Sequence, residues 1–488
     1  VKESLVDRAA LFLESASAET LPRRKTRSKD LLVFAAVLAV VFAGLGAAYL
    51  VVSGDWQIAA ALVFSVPALV VLRKSPFLGL VIWMVLSPFL VQTPSAAERQ
   101  VYWLIHRFLP VIVLGMMLVS SALRVTPRRL PRFTAAEYGM LGYITATVLS
   151  ILLQNNSVTG TLIYFYDHIF IPMCLYWVVK LSAPGEKALK WLVPVALFIT
   201  VSQVAIGILS WVMPWVLPSS WLNYAGARTT GSLNSVSVYT TAIIFSGTFV
   251  LHTAQSLRPG WKRNLLVLVY LSTLYAIFIS YSRASWLAGG LVLMGVIALY
   301  PRFMFRIGLA LLPLGLLFGG FFLATQLQAA QDRLYSEEAT HSALSRLPVL
   351  VAAYRMFEAK PLFGWGYENF DRYDRQFQGR FGDLVNPDEK DHTSHNVYLT
   401  LLAEQGLVGL LLILSPVFWL ACRSLKLHKR LPRNGLKGRK MLALLWLVVL
   451  SYIVVNNFAP MVVVFGVSLY WITLGLIANI LQSREMVR

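Results

Sequence analysis

Long apolar runs recur along this chain from residue 31 to residue 481, and nothing else in it limits the fold as much. A helix crosses a bilayer with roughly 17–25 consecutive apolar residues, because the hydrocarbon is about 30 Å thick and the helix rises about 1.5 Å per residue. Fourteen runs meet or approach that length, near 31–52, 57–72, 76–92, 101–123, 135–153, 161–180, 189–213, 236–254, 264–281, 285–300, 307–325, 396–421, 441–457 and 462–481. The expected fold is an all-α polytopic membrane protein of about fourteen transmembrane helices. Composition agrees: 57% of the residues are hydrophobic and 14% are charged, where a soluble domain carries about 25% charged residues. Soluble globular, disordered and fibrous classes are excluded. The 14 tryptophans suit a protein with two membrane–water interfaces to anchor.

The net charge of +20 allows three partners: nucleic acid, an anionic membrane surface or an anionic substrate. Its distribution decides between them. With the N-terminus inside, 31 of the 43 basic residues fall on the cytosolic side, in segments 1–30, 73–75, 124–133, 180–190, 255–263, 301–306, 422–440 and 482–488. That alternation is the positive-inside pattern, so both termini are expected in the cytosol. Most of the charge orients the chain and meets anionic lipid, and no nucleic-acid partner is expected. The first apolar run lies behind a polar arm, residues 1–30, so no cleavable signal is expected there. The organisation is then the arm 1–30, a bundle 31–325, an outer loop 326–394, a helical segment 395–481 and a tail 482–488. Outside the cytosolic segments and the loop, four basic residues remain: Arg99, Arg107, Arg228 and Arg283.

The loop 326–394 carries 11 acidic and 8 basic residues, so it is expected to be solvated. Between Ser342 and Glu358, Leu344, Leu347, Leu350, Val351, Tyr354 and Phe357 recur at helical spacing. That pattern predicts an amphipathic helix lying on the membrane or capping the bundle, with Pro348 in its first turn. Pro361, Gly364 and Gly366 mark the turn that ends it, and a second short helix is expected over Tyr367–Phe377. Loops of this length in compact domains are usually functional.

Arg228 stands in Gly226-Ala227-Arg228-Thr229-Thr230-Gly231-Ser232-Leu233-Asn234, and Arg283 in Ser280-Tyr281-Ser282-Arg283-Ala284-Ser285-Trp286. A single Arg at such a place reads as a snorkelling, lipid-binding side chain. Two on one face, each in a turn of small polar residues, read better as an anion site, since guanidinium keeps its charge and presents a fixed fork of donors. His395, in Ser394-His395-Asn396-Val397-Tyr398-Leu399, opens the twelfth helix at the outer boundary. A neutral imidazole there suits a general base, the alternative being a capping or interfacial role. Glu404 lies nine residues on, about 13 Å down the helix, where a carboxylate is expected to be paired. Asp167-His168 in the sixth helix is a second buried ionisable pair with the same expectation. Cys174 and Cys422 read as small packing residues, Asp55 as structural, and Asp388–His392 as a solvated charge run. No metal and no cofactor are expected.

These residues resemble the O-antigen ligase and polymerase superfamily of bacterial envelope enzymes. Ser394–Leu399 with Glu404-Gln405-Gly406-Leu407-Val408-Gly409 is similar to the family's His-Asn block and its following Glu-x-Gly-x-x-Gly. Pro361-Leu362-Phe363-Gly364-Trp365-Gly366-Tyr367-Glu368-Asn369-Phe370 is similar to its Pro-x-x-Gly-x-Gly-x-x-x-Phe segment. Ser282-Arg283-Ala284 resembles its Ser-Arg turn, and Arg228–Asn234 its Arg-containing segment, with Leu233-Asn234-Ser235 where many members have Asn-Pro-Asn. The four pieces occur in order over residues 220–420.

The resemblance implies a fold like the C-type glycosyltransferases, in the bacterial cytoplasmic membrane with the active site facing outward. It implies transfer of a glycan from an undecaprenyl-pyrophosphate donor to a glycan or lipid-linked glycan acceptor. Arg228 and Arg283 would hold the pyrophosphate and His395 would deprotonate the acceptor hydroxyl, with Asn396, Glu404 and Arg346 in support. Other envelope-polysaccharide export proteins are the expected partners. The chemistry agrees: departure of a pyrophosphate needs its charge stabilised more than it needs an acid, and two arginines can do the work of a divalent cation. The expected activity is inverting and metal-independent, with polymerisation favoured over ligation. The alternative is a flippase of lipid-linked oligosaccharides, which calls for internal repeats and ionisable residues near the midplane.

Overall fold

A computed structural model describes residues 69–90, 100–123, 131–222, 228–313, 331, 344, 346–379, 394–458 and 463–482. The arm 1–30, the expected helix 31–52, most of 57–72, the second half of 307–325 and the acidic run Asp388–His392 lie outside them. Every regular element among the described residues is helical. The chain divides into two compact units. The smaller is Val1–Ser75 with Met116–Arg129, of which residues 69–74 and 116–122 are described as helix. The larger is Pro76–Gly115 with Leu130–Arg488, and all that follows concerns it.

The elements are α1 (Pro76–Leu86), α2 (Gln100–Ala122), α3 (Ala135–Gln154), α4 (Val158–Ser182), α5 (Glu186–Val212), α6 (Val236–Ser256) and α7 (Trp261–Phe278). After them come α8 (Arg283–Leu299), α9 (Pro301–Pro313), α10 (Arg346–Ala359), α11 (Phe370–Gln378), α12 (Val397–Leu427), α13 (Arg439–Asn456) and α14 (Val464–Gln482). Eight of them, α2 to α6 and α12 to α14, are long and apolar enough to cross a membrane among the described residues. The pair α8 and α9, bent by 114°, would make a ninth.

Two helices form the centre. In α14 every residue from Phe465 to Leu481 is buried, and α6 is buried without interruption from Val238 to His252. The former packs on α4, α6, α12 and α13, the latter also on α5, α7 and α8. Small residues allow the closest approaches: a Cβ on Gly475 would lie 3.0 Å from the Tyr176 carbonyl, and one on Gly139 would overlap the Ser415 hydroxyl. Helices around this centre turn large apolar side chains outward, among them Leu153, Trp215, Phe305, Phe418 and Leu425. Surface of that kind belongs in lipid rather than water.

Charges inside the apolar segments are paired. Arg107 donates through Nε to Asp167 Oδ1 at 2.8 Å and through Nη2 to Oδ2 at 2.5 Å. Both stand in π-helical turns, Trp103–Phe108 and Tyr166–Phe170, and the Tyr166 hydroxyl donates to the Arg107 carbonyl at 2.8 Å. Arg107 therefore leaves the set of unexplained basic residues. Glu137 pairs with Lys180 at 2.6 Å and also accepts from the backbone N–H of Thr134, which caps α3.

Candidate active site

Residue 395 has a left-handed backbone, φ 51°, between a buried Ser394 and the helix cap Asn396. Asn396 Oδ1 accepts from the N–H groups of Tyr398 and Leu399 at 3.0 and 3.1 Å, satisfying two donors that the first turn of α12 leaves open. The Ser394 hydroxyl donates to the Asn396 carbonyl at 2.7 Å and lies 2.6 Å from the Thr400 hydroxyl. This frame fixes the half-buried His395 at the mouth of α12. Asn396 Nδ2 also reaches Asn457 Oδ1, 3.4 Å away at the end of α13.

Arg228 opens a segment that folds back onto α5. Thr229 accepts from Trp211 Nε1 at 2.8 Å. Ser232 accepts from Gln203 Nε2 at 2.8 Å, returns its own N–H to Gln203 Oε1 at 3.1 Å, and donates its hydroxyl to the Pro88 carbonyl at 2.8 Å. Gly231 is required here: its φ is 58°, and a Cβ would lie 2.2 Å from Gln203 Oε1. Arg283 is the first residue of α8, exposed, after a tight turn through Tyr281 at φ 46°. Trp211 joins the two turns, since its ring also lies 5.7 Å from that of Tyr281.

Helix directions bring these pieces together. The Thr240 hydroxyl donates to the Ser285 hydroxyl at 2.6 Å, while His252 Nδ1 lies 2.9 Å from the Tyr300 hydroxyl, so α6 and α8 run parallel and start at the same end. Lys440 Nζ sits 4.8 Å over the Tyr300 ring, and Gly295 abuts Leu447, so α8 and α13 run antiparallel. That register sets the Arg283 end of α8 beside the Asn457 end of α13, which Asn396 already holds. Arg228, Arg283, His395 and Asn396 thus share one end of the bundle, where α6, α8 and α12 all begin. Three helix N-termini aim partial positive charge and open N–H groups at this end. An Arg in the first turn of a helix opposes the macrodipole by about 0.3–1 kcal/mol, a penalty that a bound anion reverses.

Five non-glycine residues have positive φ among the described residues: Ala183, Asn234, Tyr281, Glu368 and His395. Ala183 ends α4. The other four fall one to each of the four motifs that carry the family resemblance, and strained backbone gathers at functional sites.

The Pro361–Phe370 segment enters α12 itself. At Gly406, φ 62° and ψ −163°, the helix breaks. The carbonyls of Ala403 and Glu404 then accept from Trp365 and Gly366, at 3.0 and 2.8 Å. The N–H groups of Leu407 and Val408 donate to Pro361 and Leu362, at 2.8 and 3.2 Å. Every backbone group freed by the break finds its partner in this segment, which a break at membrane depth demands. Glu404 does pair: its Oε1 accepts from the Phe370 N–H at 3.1 Å, at the start of α11. Arg346 begins α10, which packs on α11 and α12 rather than on either arginine turn.

Glu368 reaches solvent, yet desolvation by the protein around its carboxyl, followed by the Asp371 carboxylate, pushes it up to about 7. Trp211, Gln203, Asn457 and Glu368 are not marked by the sequence. Their roles come from contacts across tens of residues, and strained backbone at Glu368 leaves no compositional trace.

Residues 266–414 match a family model described as O-antigen ligase. The match contains Arg283, Arg346, the α12 break and His395, while Arg228 lies N-terminal to it. No curated protein matches the chain. Through residues 266–414, the chain belongs to the O-antigen ligase and polymerase superfamily.

Proposed function

We propose that this polytopic membrane enzyme transfers a glycan from an undecaprenyl-pyrophosphate donor to a sugar hydroxyl. The bundle end bearing His395 faces outward, both termini lie in the cytosol, and the chain crosses the bacterial cytoplasmic membrane about fourteen times. The gathering of Arg228, Arg283 and three helix N-termini at the end that His395 occupies carries this reading. Arg228 and Arg283 bind the pyrophosphate. The acceptor oxygen attacks the anomeric carbon, the bond from that carbon to the phosphate oxygen breaks, and the lipid pyrophosphate leaves with the electron pair. His395 takes the acceptor proton, and direct displacement inverts the anomeric centre. Charge on the leaving group is met by guanidinium groups already in place, so no reorganisation is needed as it develops. Asn396 positions His395 through its cap, and Glu404 supports the loop. Lipid-linked repeat units are the favoured acceptor, making the activity a polymerase, with export proteins of the envelope polysaccharide as neighbours.

Purified protein in vesicles, supplied with a lipid-pyrophosphate glycan, tests the reading. Longer glycans on the lipid are the expected product, and transfer only to a lipid-A-type acceptor would reassign the chain as a ligase. Movement of the donor across the bilayer with no new glycosidic bond would overturn the transferase reading in favour of a flippase.

A further inference from the structure

The two faces of α10 are both apolar, and the packed one is not the face its large side chains mark. Pro348, Val349, Ala352, Ala353 and Met356 are buried, meeting Phe370 and Ala403 in a small core. Leu347 and Tyr354 are exposed on the opposite side, with Leu344 exposed in line with them and Leu350, Val351 and Phe357 half-buried. This outward stripe carries no charge. Arg355, the nearest cation within the helix, turns inward to donate to the Phe377 carbonyl at 2.9 Å. The turn that follows α10 adds Leu362 and Phe363, 57% and 66% exposed.

The backbone bonds of the α12 break fix how deep that turn lies. Pro361 and Leu362 are level with Leu407 and Val408. The candidate span containing them runs Val397–Arg430, so Leu407 is about 10 Å from its midpoint at ~1.5 Å per residue. Half the hydrocarbon thickness is about 15 Å. Leu411, one turn further along α12, is 66% exposed. The apolar surface of α12 therefore continues through Leu362 and Phe363 onto the outward face of α10.

We propose that residues 346–363 are immersed in the bilayer, with the Pro361–Phe363 turn in the hydrocarbon and the Leu347–Tyr354 face of α10 resting on acyl chains of the leaflet at the site end. The occupant of this face is phospholipid. The segment is then a membrane-embedded element bonded into α12 rather than part of a solvated lid. The assignment is independent of the transferase reading.

Environment-sensitive probes on single cysteines introduced at Leu347, Tyr354 and Phe363 test this in vesicles of full-length protein. Leu411→Cys serves as the lipid reference and Gln376→Cys, exposed on α11, as the water reference. The unsubstituted chain, with buried Cys174 and half-buried Cys422, supplies the labelling blank. The expected result is quenching by bromine-bearing acyl chains at all three positions to at least half the extent seen at Leu411, with little quenching by iodide. Iodide quenching at Leu347 and Tyr354 without bromolipid quenching would overturn the proposal and leave the face to a protein partner. Quenching by lipid at Phe363 alone would overturn the placement of α10. Should the variants fail to fold, photoactivatable phospholipid and peptide mapping of the unsubstituted protein decide the matter. Adducts within 344–363 support the proposal, and adducts around Leu411 without any there contradict it.

Discussion

Glu368 shows how a single residue reports on the site around it. Its backbone is left-handed, φ 59°, and its carboxyl is pushed up to about 7 by desolvation and by Asp371. A carboxyl raised in the folded state disfavours folding once the unfolded chain ionises and the native chain does not. Stability contributed here is greatest below pH ~4.5, falls as pH rises to about 7 and stays reduced above. Replacing Glu368 with Gln removes that dependence. The expected outcome is a higher unfolding temperature for the variant at pH 8 and a difference shrinking toward pH 4.5, measured by thermal scans of the solubilised protein. The sequence marks other residues of the site directly. Arg228 and Arg283 stand out because they break the charge pattern that orients the chain, and His395 because it opens an apolar run. Trp211 has no such mark, being one of 14 tryptophans near a membrane boundary. Its link to both arginine turns exists only once α5, α6 and α8 are packed.

Among the elements, the break in α12 joins local conformation to the family motif most closely. The glycines of Pro361–Phe370 and of Glu404–Gly409 fit into each other. A Cβ on Gly364 would lie 2.3 Å from the Glu404 carbonyl carbon, and one on Gly406 would lie 2.3 Å from the Leu362 oxygen. Both residues also have positive φ, at 65° and 62°. Gly364→Ala or Gly406→Ala is expected to cost about 2–4 kcal/mol, adding backbone strain to overpacking, and to lower the melting temperature and the yield of monodisperse protein. Gly290→Ala, with nothing within 4 Å of the added carbon, is the matched control and should change little. Helical spacing made α10 and α11 legible in the sequence, and both lie near their expected positions. The packed side of α10 was not legible. Large side chains mark one face, whereas the core chooses the other because Ala352 and Ala353 permit close contact with α11 and α12.

For the whole molecule, the alternation of basic loops and apolar runs already implied a helical membrane bundle. Each expected run that falls on described residues is helical there, and eight of those helices meet the length and hydropathy of a span. The common end of α6, α8 and α12 was not legible, since helix direction follows from loop charge but helix neighbours do not. The orientation makes a separate prediction. A cysteine at Gln376, on α11, and one at Arg433, in the basic connection between α12 and α13, should lie on opposite sides of the membrane. In intact cells stripped of any outer layer, an impermeant maleimide should label the first and not the second, and the reverse pattern would invert the proposed topology.

The division of labour between the arginines and the histidine is the centre of the account, and parallel binding and turnover measurements in vesicles test it most directly. Labelled undecaprenyl-pyrophosphate glycan is titrated against the unsubstituted protein, His395→Ala, Arg228→Ala and Arg283→Ala, and transfer is followed in the same samples. Loss of a general base removes about 10²–10⁴ in rate. His395→Ala is expected to bind donor as tightly as the unsubstituted chain while transferring at least about a hundredfold more slowly, and the two arginine variants to bind donor at least about tenfold more weakly, the loss of one charge-assisted contact. Transfer by His395→Ala at the unsubstituted rate, or unchanged donor binding in both arginine variants, would contradict the account.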